Sequence, residues 1–174
     1  RHLYSLAEFP DAIPYITSYY GEKWGFCLPH SQREQLKEGK YKVYIDSNLN
    51  DGSLTYAELL IKGKCEQEIF FSTYICHPSM ANDNLSGPSL ITYLAKYIEK
   101  IKNRRFSYRI IFIPETIGAI MYLSKNLEHL KKYVVAGFNL TCVGDNNNYS
   151  YLPSRKGNTL SDKAALHVLK HVVK

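Results

Sequence analysis

The sequence predicts an α/β fold built on a mostly parallel sheet, because strand-like apolar runs alternate with segments of helical periodicity and each run ends in a polar loop. Residues 68–76 are nearly continuous in apolar or β-favouring side chains, the mark of a strand covered on both faces. After a polar loop at 77–87, Leu90, Ile91, Leu94, Ile98 and Ile101 recur at helical spacing. Ser86 is placed to cap that helix, and Pro88 falls in its first turn, where a missing N–H costs nothing. The unit then repeats, with a strand at 108–113, a short loop at 114–116, a helix at 117–127 and another buried strand within 133–143. Strand and helix alternating in this way imply right-handed crossovers.

The flanking segments read differently. Residues 1–36 are irregular, punctuated by Pro10, Pro14, Gly21, Gly25 and Pro29, and carry Tyr15, Tyr19, Tyr20, Trp24 and Phe26, as a covering arm would. Two alternating runs at 41–46 and 54–61, joined by the turn-rich 47–53, read as a β-hairpin. Beyond Asp145 come a loop or short strand at 146–153 and a helix at 161–173. The chain stops right after that helix, so further material is expected at one or both ends.

A length of 174 residues with 45% hydrophobic content suits one domain, or part of one. No run approaches the roughly 20 apolar residues of a membrane span, and the first residues lack the pattern of a signal peptide. Four cysteines without CxxC spacing read as reduced thiols, so the protein is expected to be soluble and cytoplasmic. The net charge of +6 is densest at Lys96, Lys100, Lys102, Arg104 and Arg105, at a helix end, where cations complement the dipole. That cluster is read as a solvated face rather than a nucleic-acid site. Fifteen tyrosines, many in strand-like runs, argue packing before stacking chemistry.

Ligands in open α/β sheets bind beyond the carboxyl ends of the strands. Three loops at those ends carry able side chains: His77 and Asp83 in the first, Glu115 in the second and Asp145 in the third. Each has an ordinary structural reading, as a hydrogen-bonded histidine, a helix cap, a carboxylate at a helix start and a turn former. Brought together, one imidazole and three carboxyl groups would repel one another unless a cation neutralised them, which makes a metal the simplest account. A nucleophile fits less well. Cys76 and His77 are neighbours that would point to opposite faces of a strand, and Ser86 is not in a nucleophile elbow.

The run Ser72-Thr73-Tyr74-Ile75-Cys76-His77-Pro78-Ser79-Met80-Ala81-Asn82-Asp83-Asn84-Leu85-Ser86-Gly87 has two companions, Pro114-Glu115-Thr116-Ile117-Gly118 and Thr141-Cys142-Val143-Gly144-Asp145. Together they closely resemble the bacterial aminopeptidase-like proteins of the co-catalytic zinc exopeptidase clan. Ile13-Pro14-Tyr15, Thr17-Ser18-Tyr19-Tyr20 and Trp24-Gly25-Phe26-Cys27 match the branch often encoded near surface-polysaccharide genes. The resemblance implies a doubly wound zinc-exopeptidase-like core at 1–37 and 65–174, incomplete at its C-terminus. It also implies a small β insertion at 38–64 and, in full-length relatives, a C-terminal winged helix. It implies one or two zinc ions held by His77, Asp83 and Asp145, with Glu115 as the general base that activates water against a peptide or related amide.

The sequence departs from the clan's pattern in places. His77-Pro78-Ser79 lacks the His-x-Asp pair, Thr116 stands where classical members carry a second glutamate, and Tyr74 stands where many relatives of this branch carry a histidine. His167 and His171, four apart on a helix, read as a solvated face before a metal pair. These departures leave open one ion, two, or a catalytically silent binding domain linked to surface-polysaccharide biosynthesis. A homo-oligomer also stays open.

Overall fold

The computed structural model of the chain describes residues 1–16, 21, 23–48, 50–77, 80–146 and 148–171. Tyr19 and Tyr20 of the aromatic arm, Pro78 and Ser79 of the His77 loop, and residues 172–173, where the last helix was expected to end, lie outside those residues. The chain forms two compact units, Arg1–Asn50 and Asp51–Lys174.

In the first unit, β1 (Leu3–Tyr4) and β2 (Phe26–Cys27) make a short parallel pair, followed by α1 (His30–Glu34). His2 stacks flat on Trp24, with ring centroids 3.8 Å apart, and its Nδ1–H donates to the Trp24 carbonyl at 2.9 Å. The expected hairpin does not form, since residues 41–46 adopt no strand. Alternation reports a face for burial but not a partner, and the second run finds its partner elsewhere.

The second unit contains β3 (Ala57–Ile61), β4 (Glu68–Tyr74), α2 (Gly87–Lys100), β5 (Ser107–Ile113), α3 (Ile117–Tyr133), β6 (Val134–Asn139) and α4 (Leu160–His171). The four strands form one sheet in the order β3-β5-β4-β6. The pairs β4–β5 and β4–β6 are parallel, whereas β3 lies antiparallel on β5, Leu59 opposite Ile110. The chain leaves β4 for β5 on one side and then crosses back to β6 on the other. Right-handed crossovers in opposite directions put their helices on opposite faces of the sheet.

The packing agrees with that geometry. Ile110 faces α2 and closes a core with Ile91, Ala95 and Ile98, while Ile111 and Ile113, offset by one on the same strand, face Tyr122 of α3. Ile91 and Ile110 are fully buried, each contributing about 1.5–3 kcal/mol from burial alone. The sequence-based expectation of a doubly covered α/β sheet therefore holds.

A buried ionic network ties the sheet to α3. Arg109 on β5 donates from Nε and from a terminal nitrogen to the two carboxylate oxygens of Glu68 on β4, at 2.7 and 2.9 Å. It also pairs closely with Glu58 on β3, whose other oxygen accepts from the Tyr122 hydroxyl at 2.8 Å. Burial pushes the Glu68 carboxyl up, but bonds from Arg109 and His129, and their charges, outweigh it and hold the group below its ordinary value.

Two expectations about helix ends come out differently. Ser86 is itself helical and does not cap α2; its hydroxyl donates instead to the Asn82 carbonyl at 2.6 Å. Pro88 does occupy the first turn. At the other end Arg104, from the basic cluster, donates to the carbonyls of Ile98, Glu99 and Ile101 at 3.1, 2.8 and 2.6 Å. These carbonyls belong to the last turn, and Ile98 also accepts from the Ile101 amide, so this part of the positive charge serves the C-terminus of α2.

Candidate metal centre

The carboxyl ends of β4, β5 and β6 share one rim, because the three strands are parallel. At β4 the ladder continues one residue past Tyr74, with the Ile75 amide bonded to the Ile113 carbonyl at 3.1 Å. The chain then turns, and the alternation of a strand no longer governs where Cys76 and His77 point. Asn84 holds the turn. Only 5% exposed, its side-chain amide donates to the Tyr74 carbonyl at 2.9 Å and its oxygen accepts from the His77 amide at 2.8 Å.

His77 and Glu115 meet across the rim, Nε2 to Oε2 at 3.3 Å. Cys76 joins them. One ligand atom from each of Cys76, His77 and Glu115 lies within 4.8 Å of the others, the group among the described residues with that convergence. The Glu115 amide donates to the Cys76 sulfur at 3.4 Å. Adjacency on a strand therefore does not separate Cys76 from His77, as the sequence reading supposed, because both follow the last residue of β4. The signal that reveals Cys76 is the end of the strand, which the continuous apolar run through residue 76 concealed.

Tyr74 links this group to Asp83. Its hydroxyl donates to the Asp83 carboxylate at 2.6 Å, and its ring meets the His77 ring edge-on, with centroids 5.9 Å apart. Burial and the bond to Asp83 push the Tyr74 phenol well above the usual tyrosine range, so it stays a donor. Asp83 is thus in touch with His77 through one ring, while lying outside the converging group. The peptide bond between Asp83 and Asn84 is cis.

The third loop is clamped onto the first. The Val143 amide donates to the Ser86 hydroxyl at 3.0 Å and the Gly144 amide to the Asn82 side chain at 2.8 Å. Gly87 is needed here, since any side chain on it would meet the Leu140 carbonyl and the Thr73 hydroxyl. Asp145, next along, is exposed and accepts from the Asn148 amide at 3.4 Å within its own loop. It too lies outside the converging group.

Thr116 and Cys142 flank the site with φ of 54° and 50°. A non-glycine residue there costs about 1–3 kcal/mol, and such residues gather at functional sites. A hollow of about 410 Å³ opens between these loops, lined by Tyr74, Glu115, Thr116, Thr141 and Cys142 among others. Another, of about 450 Å³, lies at the amino ends of the strands beside Glu68, Ser107 and His129. Its buried carboxylate is committed to Arg109, so the able chemistry sits at the carboxyl rim. His167 and His171 are exposed on α4, their rings 4.7 Å apart, as a solvated face.

Comparison with known proteins agrees with the architecture. The crystal structure of a proposed peptidase from Clostridium acetobutylicum, at 2.37 Å resolution, superposes with a TM-score of 0.94. It is 46% identical and covers 99% of this chain, which in turn spans 40% of that one. A C. acetobutylicum protein named as a proposed polysaccharide biosynthesis protein with an aminopeptidase-like domain is 48% identical over 170 residues. That alignment takes in 98% of this chain and 39% of the relative, so the chain spans about two fifths of the relatives it matches. Sheet, crossovers and likeness together define a peptidase-like α/β domain. The chain belongs to the family described as a domain of unknown function, DUF4910, whose pattern matches residues 9–174.

Proposed function

We propose that this domain carries the centre of a zinc-dependent, aminopeptidase-like hydrolase of peptide or related amide bonds. The observation that supports it most is the meeting of His77 and Glu115 at the carboxyl rim, with a third donor beside them. An imidazole, a carboxylate and a thiol are each good ligands for zinc, so the donor set fits that cation. His77 would hold the ion, and Asp83 and Asp145, which lie outside the converging group, would have to close on it as further ligands, one ion or two. When bound, the cation supplies Lewis acidity and brings the pKa of water down toward about 7.

The chain's own side chains divide the remaining work. Glu115, about half exposed, reaches the rim from the end of β5 and can take a proton from water and return it to the leaving amine. Tyr74 orients Asp83 by a short bond, and Asn84 sets the His77 backbone. The hollow beside Glu115 would receive the amide end of a peptide or small amide.

A second reading is a catalytically silent peptidase-fold domain that binds ligand in surface-polysaccharide biosynthesis. It draws on Asp145, which bonds within its own loop, and on Asp83, whose oxygen is taken by Tyr74. A cytoplasmic setting suits either reading, given that Cys27, Cys65, Cys76 and Cys142 are free thiols. No helix among the described residues is long and apolar enough to cross a membrane.

Elemental analysis of the full-length protein, with hydrolysis of aminoacyl amides, separates the two. Stoichiometric zinc that His77→Ala and Asp83→Ala both lose, together with amide hydrolysis, supports the hydrolase. A metal-free, inert protein rejects it.

A further inference from the structure

We propose that Cys76 supplies a sulfur ligand to the cation at this rim, making the centre a thiolate–imidazole site with Glu115 beside it. The proposal rests on the metal-binding reading above and concerns which side chains take the metal.

Position comes first. Cys76 Sγ lies in the same group as a His77 ring nitrogen and a Glu115 oxygen, all within 4.8 Å of one another. Ligand atoms around a tetrahedral zinc, at bonds of about 2.0–2.3 Å, stand roughly 3.5 Å apart. Closing the group on an ion therefore takes side-chain shifts of roughly an ångström. Cys76 and His77 both follow the last residue of β4, where the backbone is free to turn both side chains the same way.

Chemistry agrees. Thiolate and imidazole together favour zinc over the harder cations that prefer oxygen alone. The Glu115 amide already points at the sulfur, at 3.4 Å, and an N–H···S bond of that kind steadies a metal-bound thiolate. Asp83 and Asp145 lie outside the converging group, so the donor already within reach of both His77 and Glu115 is the Cys76 sulfur. As the metal–sulfur bond forms, the Sγ–H bond breaks and its proton leaves to solvent; no electron changes hands.

Cys142 is the natural control. It lies at the same rim, its sulfur 3.8 Å from the Tyr74 hydroxyl, yet it falls outside the converging group.

Cobalt(II) substitution of the full-length protein tests the assignment by a readout independent of activity. Wild type and Cys142→Ser are expected to show a near-ultraviolet thiolate-to-cobalt charge-transfer band, and Cys76→Ser to lose it while keeping weaker visible bands. Cobalt bound by wild type without that band overturns the sulfur ligand and leaves the metal site standing. The wild-type spectrum decides this even if Cys76→Ser fails to fold. A band that survives in folded Cys76→Ser, or disappears in Cys142→Ser, also overturns it. Absence of any cobalt or zinc uptake overturns the metal-binding reading and this proposal with it.

Discussion

The Tyr74 hydroxyl donates to the Asp83 carboxylate at 2.6 Å, and through that bond the end of β4 governs the acidic turn that follows it. The same ring lies edge-on to His77, so one tyrosine touches two of the residues that the sequence nominates as metal ligands. The phenol is a neutral donor, so it orients a carboxylate without offering a cation a strong ligand atom.

Tyr74→Phe should keep the ring packing and remove the donor. Loss of a bond to a charged acceptor that is only part-buried is expected to lower stability by about 1.5 kcal/mol, seen as a lower midpoint in urea. Zinc affinity of the variant is the second readout. A rise would mean that the phenol competes with the cation for Asp83, whereas a fall would mean that it holds Asp83 in place.

Glu115→Gln keeps the shape of the side chain, and its backbone amide remains available to Cys76. If Glu115 transfers protons, amide hydrolysis should fall about 10²–10⁴-fold while zinc content stays unchanged. If hydrolysis and zinc fall together, the residue is a ligand first.

Asn84→Ala should be more damaging than its size suggests. The side chain is almost completely buried and satisfies both the Tyr74 carbonyl and the His77 amide, so its loss leaves two backbone groups without that partner. An uncompensated buried polar group costs about 1–3 kcal/mol, which sets the expected loss at about 2 kcal/mol or more. Thermal unfolding measures it. Metal uptake should weaken as well, because the His77 backbone would be released.

Much of this architecture was legible. The continuous apolar runs named β4 and β5, helical spacing named α2, and polar loops after each strand placed His77 and Glu115 at one rim. Other features were hidden for physical reasons. The run at 54–61 showed a strand but not its partner, which proved to be β5, far along the chain. Ser86 has a capping residue's chemistry, yet its hydroxyl is engaged by Asn82 and Val143, contacts that only the fold creates. Cys76 looked like the last residue of a strand, and the two residues by which β4 stops short change its role. Asn84 drew attention only as part of a motif, since nothing local shows that it bridges both sides of the turn.

The ionic network at the opposite end of the sheet predicts how the domain responds to acid. Burial raises the Glu68 carboxyl, but Arg109, His129 and their charges lower it further, so its folded value lies below its ordinary 4.5. A carboxyl depressed on folding contributes stability that is fully present above its unfolded pKa and is lost as pH falls through the folded one. Stability should therefore decline below about pH 4.5, and part of that slope should vanish in Glu68→Gln. At neutral pH the same variant should lose about 3 kcal/mol. That is the low end for breaking a buried ion pair, because Glu58 still faces Arg109 and the Tyr122 hydroxyl still holds Glu58. Urea midpoints of both proteins between neutral and acid pH measure the difference, and parallel curves would remove Glu68 from the acid response.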